Sequence, residues 1–330
     1  MLDRRAIRVH VDRHLLDVRE MLPTRLRAAF EDLLQERGLL ADDPAPAVGP
    51  LGHPVFELPV WMASRLRDEG IETPEETLGR VLGVSSLGYF HVRAQDDWLD
   101  ATSTGDPTLV ALAEALLALC NRLLVSVVGR SARFWDFYAE VFTAYSESLA
   151  HTTEVRMGEM PVARETFEHL LAQARPLVIP CAALLDRAGR WQLLPLLEEF
   201  VFASTAASQL INDLTDLDGD RRLGHRTWTL AAIGGSDGLW SEAIDASMQS
   251  GEGRVQERIS QALSYHERSA QAARALALTA ADDWLADRRS KLEGFLGSLS
   301  DKLLSVFVEE LATRRAGPPA DALQRSPGRE

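Results

Sequence analysis

Gln209-Leu210-Ile211-Asn212-Asp213-Leu214-Thr215-Asp216-Leu217-Asp218-Gly219-Asp220 closes a stretch whose apolar residues recur three and four apart, the period of an amphipathic helix. A counterpart, Gln95-Asp96-Asp97-Trp98-Leu99-Asp100, closes another such stretch, Asp97 standing 115 positions before Asn212. Residues four apart on a helix share a face, so Asp96 lies over Asp100, and Asn212, Asp216 and Asp220 form one ladder with about 40° of drift per step. Like charges so spaced destabilise an isolated helix, so a positive group is expected to compensate for them. Hydrated magnesium suits both runs: it takes hard oxygen ligands, keeps several waters and is commonly shared between a few carboxylates and a substrate phosphate.

Working outward from these runs, helical spacing predicts helices over residues 74–100, 107–129, 131–157, 162–187 and 191–220, with breaks at Gly105-Asp106-Pro107 and across residues 158–161. An N-terminal helix is expected over residues 9–37, followed by a loop over 41–59 that carries five prolines. Shorter helices are expected over residues 227–233, 240–248 and 255–277, and a last one over 280–312. Pro176 and Pro180 fall inside the stretch over residues 162–187 and predict a kink near Arg175 that frees backbone carbonyls; facing a pocket it serves function, otherwise it bends the helix around the core. The pattern reads as one all-α domain over residues 1–312, with a disordered tail over 313–330 rich in Pro, Gly and Arg.

Composition narrows the function classes. The 330-residue chain has 49 acidic against 35 basic residues, a net charge of −14, and no concentrated basic stripe of the kind a nucleic-acid phosphate backbone requires. An anionic substrate would need cations to bridge it. Cys120 and Cys181 follow neither disulfide nor zinc spacing and are expected to be core thiols. The first residues, Met1-Leu2-Asp3-Arg4-Arg5, run into a charged helix without the apolar stretch of a secretory signal. The greasiest helix, near residues 109–128, is interrupted by Glu114, Asn121 and Arg122, so a bundle helix is expected rather than stable membrane insertion. The expected location is the cytoplasm.

Together the two runs resemble the signature motifs of the class I isoprenoid synthases, the superfamily of polyprenyl synthases, phytoene and squalene synthases, and class I terpene cyclases. Asp96-Asp97-Trp98-Leu99-Asp100 matches the first Asp-Asp-x-x-Asp motif. Asn212, Asp216 and Asp220 fall on the ligand positions of the second motif of terpene cyclases and match the Asn…Asp…Asp pattern of phytoene synthases. Asn212 to Asp216, followed by Gly219-Asp220 and Gly224, also resembles the second motif of polyprenyl synthases. The likeness covers most of residues 74–229. It implies an antiparallel helical bundle around a central cavity, with Asp96, Asp97, Asp100, Asn212, Asp216 and Asp220 holding three magnesium ions, manganese being an alternative, against a prenyl diphosphate. The expected chemistry is ionisation of an allylic diphosphate with release of pyrophosphate, with water excluded so that the cation is not quenched.

By the same resemblance, Arg175, 37 positions before Asn212, stands near where elongating enzymes carry a diphosphate-binding lysine and cyclases a sensing arginine. Arg221, Arg222 and Arg226 follow the second motif, and Arg222 is the expected leaving-group contact, its alternative being a surface group that complements the helix dipole. Phe90 and Phe202, near the motifs, are expected at the substrate, and the aromatic run Phe134 to Tyr138 with Phe142 and Tyr145 is read chiefly as core.

Three absences speak against a chain-elongating enzyme. Gly52-His53-Pro54-Val55-Phe56-Glu57-Leu58-Pro59 lacks the cations of the Gly-Lys-x-x-Arg-Pro segment, no arginine pair trails Asp100, and His225 stands where a Gly-Lys lysine is expected. Val178-Ile179-Pro180-Cys181 matches the phytoene type poorly. A terpene cyclase is the leading expectation, a prenyltransferase the alternative, and a non-catalytic helical partner subunit a distant third. Dimerisation is common in the superfamily and an apolar helical face could support a homodimer, but the sequence identifies no interface and leaves the oligomeric state open. Asp282-Asp283-Trp284-Leu285-Ala286-Asp287 echoes the first motif but places its last acid one residue too far, about 100° round the helix, and reads as a solvated face.

Overall fold

The computed structural model describes residues 4–36, 54–100, 106–156, 164–216, 220, 227–229, 254–294 and 297. Among the described residues every regular element is helical and none is a strand, so the all-α expectation holds. The helices are α1 (Arg4–Met21), α2 (Thr24–Glu36), α3 (Glu57–Asp68), α4 (Glu75–Asp100), α5 (Pro107–Val128), α6 (Ala132–Arg156), α7 (Arg164–Leu170), α8 (Ile179–Ala188), α9 (Leu194–Thr215), α10 (Arg254–Ala275) and α11 (residues 282–294). The expected helices over residues 230–250, the end of the last helix and the tail lie outside the described residues.

Two helices are hydrophobic all round, which places them at the centre of the bundle. Ile179 to Leu185 of α8 are buried without a break, and α9 is buried from Phe200 to Leu214 at nearly every position. α3, α4, α5 and α6 pack around α8, while α10 lies along α9. α5 shows how an outer helix joins them. Asp106 caps its N-terminus by accepting from the Thr108 N–H at 2.8 Å, Pro107 starts the first turn, and Gly129 ends it. Leu112, Ala113, Leu116, Cys120, Leu124 and Val127 then form one buried stripe against the core, while Val110 and Val125 face outward. By length and composition α5 could cross a membrane; here it packs one face on the bundle. Cys120 and Cys181 are both buried free thiols, as expected, and burial pushes the Cys120 thiol up to about 12.

Three local expectations are corrected. The N-terminal helix is two helices, because Pro23 has no N–H to continue the ladder, and Thr24 begins α2. Part of the proline-rich stretch read as loop is helical: α3 starts at Glu57 and carries Pro59 in its first turn, where a missing N–H costs nothing, and buries Val60, Trp61, Met62 and Leu66. The helix expected over residues 162–187 is interrupted rather than merely bent. Residues 171–178 wind as tight 3₁₀ turns around Pro176 between α7 and α8. The Ser148 hydroxyl of α6 donates to the loosened carbonyls of His169 and Leu170, at 3.1 and 3.3 Å.

Candidate active site

The first acidic run forms the last turn of α4. Its spacing puts Arg93 three residues before Asp96 and four before Asp97, the two offsets that share a helix face. Accordingly, the Arg93 guanidinium donates to Asp96 Oδ2 at 2.6 Å and to Asp97 Oδ1 at 2.8 Å. All three side chains are partly buried. One residue before the acids, Gln95 Oε1 accepts a 2.6 Å bond from the Tyr145 hydroxyl of α6. Burial, then the charge of Asp96, push the Tyr145 hydroxyl well above the ordinary range, so it stays a donor. Asp100 ends α4, and its side chain lies outside the described ones.

The second run leaves α9 as its helix ends at Thr215. The backbone N–H of Asp216 still donates to the Asn212 carbonyl, and that of Asp220 to the Asp216 carbonyl, each at 2.8 Å. The intervals from Asn212 to Asp216 and from Asp216 to Asp220 are thus each closed by one i to i−4 backbone bond. Asn212 and Asp216 are exposed.

Their neighbour Asp213 points the other way and is buried, accepting from Gln209 Nε2 at 2.7 Å and Thr229 Oγ1 at 3.1 Å. Desolvation pushes its carboxyl up to about 6, opposed by these two donors. Beside Thr229, Trp228 lies between the Phe167 ring, 4.8 Å away, and the Arg258 guanidinium, 3.6 Å from its centroid. Arg258, from α10, is itself buried; its Nη1 donates to Gln261 Oε1 and its Nε has no partner.

A chain of contacts puts both runs at one end of the bundle. α6 runs antiparallel to the interrupted helix: Arg133 pairs with Asp186, Glu140 with Arg175, and Ser148 reaches His169 and Leu170. Gln95 of α4 is level with Tyr145 of α6. Phe167 and Leu171, beyond the Ser148 contact, pack with Leu210, Ile211 and Leu214 of α9. The C-terminal turns of α4 and α9 thus both stand at the α7 end, flanking the broken helix.

Several expected site residues are not brought there. Arg175 is held by Glu140 Oε1 at 2.8 Å and Glu198 Oε1 at 2.7 Å. Glu198 precedes Asn212 by 14 residues on α9, about 21 Å along the helix, so the sensor assignment of Arg175 is withdrawn: the 3₁₀ turns direct it to an ion-paired side of the bundle. Phe90 is fully buried in edge contact with Phe30 of α2 at 5.5 Å and Tyr89 at 5.2 Å, which makes it core rather than pocket wall. Phe202 faces α10, near Tyr265 and Arg268. Phe134, Trp135, Tyr138 and Phe142 stack on one another, the Tyr138 hydroxyl donating to Asn121 of α5, so that run packs the bundle as read. Asp282, Asp283 and Asp287 are exposed, as expected of a solvated face. Arg221, Arg222 and Arg226 lie outside the described residues.

Arg93, Asp213, Arg258 and Tyr145 are the groups that sequence reasoning did not assign to this end. For Arg93 the signal was present, a cation three and four residues before two acids. For Asp213 and Arg258 it was absent, because burial, a Thr229 donor 16 residues away and a Trp228 ring 30 residues away have no local signature.

Oxygen donors suit magnesium, and the carboxylate pair of Asp96 and Asp97 answers its habit of taking one or two protein ligands and completing its shell with water and phosphate. Among the described residues no three His, Cys, Asp or Glu side chains are already gathered around one point. The donor set fits the ion in kind. A cavity of ≈ 10 Å³ lined by Pro54, Leu58, Leu177, Phe200 and Ser204 is no larger than a water requires.

No family model and no curated protein matches the sequence. Among solved structures, the chain is similar to a polyprenyl synthase from Roseobacter denitrificans, with a TM-score of 0.55, at 16% sequence identity over 86% of this chain and 98% of that one. The likeness shows an all-α fold of the isoprenoid synthase type.

Proposed function

We propose that the protein is a magnesium-dependent class I isoprenoid synthase that ionises a linear allylic prenyl diphosphate, and that it acts as a terpene cyclase. The observation that carries this reading is that the C-terminal turns of α4 and α9, each bearing one acidic run, lie at the same end of the bundle in a fold of the isoprenoid synthase type. Asp96, Asp97 and Asp100 from one side and Asn212, Asp216 and Asp220 from the other would hold the ions. When bound, magnesium neutralises charge on the diphosphate as the allylic C–O bond breaks and its electron pair leaves with the pyrophosphate.

The chain's own residues orient the two runs. Tyr145, kept protonated, fixes Gln95 and with it the last turn of α4. Asp213 ties the segment after the second run to α9 through Thr229, and Trp228 closes over it between Phe167 and Arg258. Leu210, Ile211 and Leu214 pack with Phe167, Trp228 and Ile259 and so hold the last turns of α9 in the core while Asn212 and Asp216 face outward.

A prenyltransferase is the second reading, favoured by the polyprenyl synthase likeness and opposed by the missing cations around residues 52–59 and after Asp100. The test supplies geranyl, farnesyl and geranylgeranyl diphosphates with magnesium, each with and without isopentenyl diphosphate. A hydrocarbon or alcohol from one allylic substrate supports the cyclase. Longer diphosphates appearing only with the co-substrate reverse the choice, and no pyrophosphate from any substrate removes both.

A further inference from the structure

Arg93 occupies one oxygen of each of the first two acids of the first motif, Asp96 Oδ2 and Asp97 Oδ1. Its two bonds, at 2.6 Å to Asp96 and 2.8 Å to Asp97, form a fork across adjacent carboxylates, and the side chains are only a quarter to a third exposed. Charge-assisted bonds of this length, partly shielded from solvent, are stronger than exposed ion pairs. They also remove the repulsion that two neighbouring carboxylates would otherwise suffer. We infer that Arg93 is the resident counter-cation of the first motif and lowers its affinity for divalent metal, so that loading requires the guanidinium to leave the Asp96 and Asp97 carboxylates. The inference rests on the proposed metal-binding role of these acids and adds to it a positioning residue that sets how readily they are filled.

The argument is one of competition. A divalent ion and a guanidinium cannot both take the same two oxygens. Asp96 and Asp97 therefore pass from one positive partner to another, and metal affinity is the difference between the two interactions. Removing Arg93 deletes a competitor for these oxygens and takes one cation from beside two like charges, which a metal ion would then relieve. Both effects tighten binding of the metal alone, and both destabilise the metal-free protein.

The experiment titrates Mn2+ into the full chain by calorimetry, without substrate, for the wild type, Arg93→Gln and Arg93→Lys, with thermal unfolding measured beside it. Arg93→Gln is expected to bind Mn2+ about tenfold more tightly than the wild type. It should also gain more in melting temperature on Mn2+ addition, while Arg93→Lys, which keeps a cation without the fork, stays close to the wild type. Equal or weaker binding by Arg93→Gln, with the wild type binding, overturns the role of Arg93 and leaves the metal motif standing. If no form binds Mn2+ even when inorganic pyrophosphate is present, the metal reading itself falls and takes this inference with it.

Discussion

The hydroxyl of Tyr145 on α6 donates to the side-chain carbonyl of Gln95 on α4 at 2.6 Å, one residue before the first acidic pair. This bond couples the helix that carries the motif to the helix that receives the broken segment. Tyr145→Phe removes one donor and leaves a partly buried acceptor unsatisfied, which costs about 1 kcal/mol of stability. Urea denaturation should report that loss. Because Gln95 then loses its anchor, turnover should fall more than the stability change alone accounts for.

Asp96→Ala and Asn212→Ala each remove an oxygen donor from one acidic run while leaving the helix intact, since alanine is the best helix former. Turnover should drop by about 10²-fold or more in each, with far-ultraviolet circular dichroism unchanged. Arg175→Met is the contrasting case. Arg175 is paired with Glu140 and Glu198 rather than with the motifs, so its loss should cost less than about 1 kcal/mol and leave turnover within a few fold. An Arg175→Met enzyme as inactive as Asp96→Ala would restore the sequence-based assignment.

The contrast shows what the sequence carries. The two acidic runs stand out in the sequence because four-residue spacing and charge are local properties, and the backbone bonds from Asp216 to Asn212 and from Asp220 to Asp216 span that same interval. The break near Pro176 was legible for the same reason. Which way Arg175 emerges from the break was not, because the 3₁₀ turns rotate each side chain differently from an α-helix. α3 was hidden by Pro59, whose effect depends on its falling in a first turn. Phe90 was misread because closeness in sequence to a motif does not say which face of α4 it occupies; its partner, Phe30, is 60 residues earlier.

Phe90→Ala follows from that correction. The ring is fully buried between Phe30 and Tyr89, so truncation should cost about 3–5 kcal/mol. Phe90→Leu, which keeps most of the volume, should lose less and give the same product. A changed product from Phe90→Leu with unchanged stability would return the ring to the pocket wall.

Two buried histidines set a pH dependence. Burial holds both His91 and His266 below the ordinary imidazole value of 6.5, with Arg288 and Arg289 adding to the effect at His266. Below 6.5 the unfolded chain binds more protons at these positions than the native one, so stability rises with pH there. Their contribution is present above pH 6.5 and lost as pH falls. On acidification from pH 7 to about pH 5 these two groups lower the melting temperature, against the opposite contribution of Asp213, whose raised carboxyl takes up a proton in the native state over the same range. Removing one of them should leave a smaller loss in His91→Gln than in the wild type. The imidazole Nδ1 sits 2.9 Å from the Ala113 carbonyl, and the glutamine amide can still donate there without gaining charge. A slope identical to that of the wild type would exclude His91 as a source.

Thr229→Val probes the tie behind the second run. The threonine hydroxyl is one of two side-chain donors that hold the buried Asp213 carboxylate, at 3.1 Å, the other being Gln209. Valine keeps the shape and deletes the donor, leaving a charged group with less compensation at a cost of about 1–3 kcal/mol. Asp213 is adjacent to Asn212, so loosening it should also weaken metal binding, the reverse of the change expected for Arg93→Gln. Thr229→Ser, which keeps the hydroxyl, should recover most of both losses. Stability and Mn2+ affinity measured on the two variants separate the hydrogen bond from the methyl group: a Thr229→Ser protein as damaged as Thr229→Val would assign the effect to packing beneath Trp228 instead.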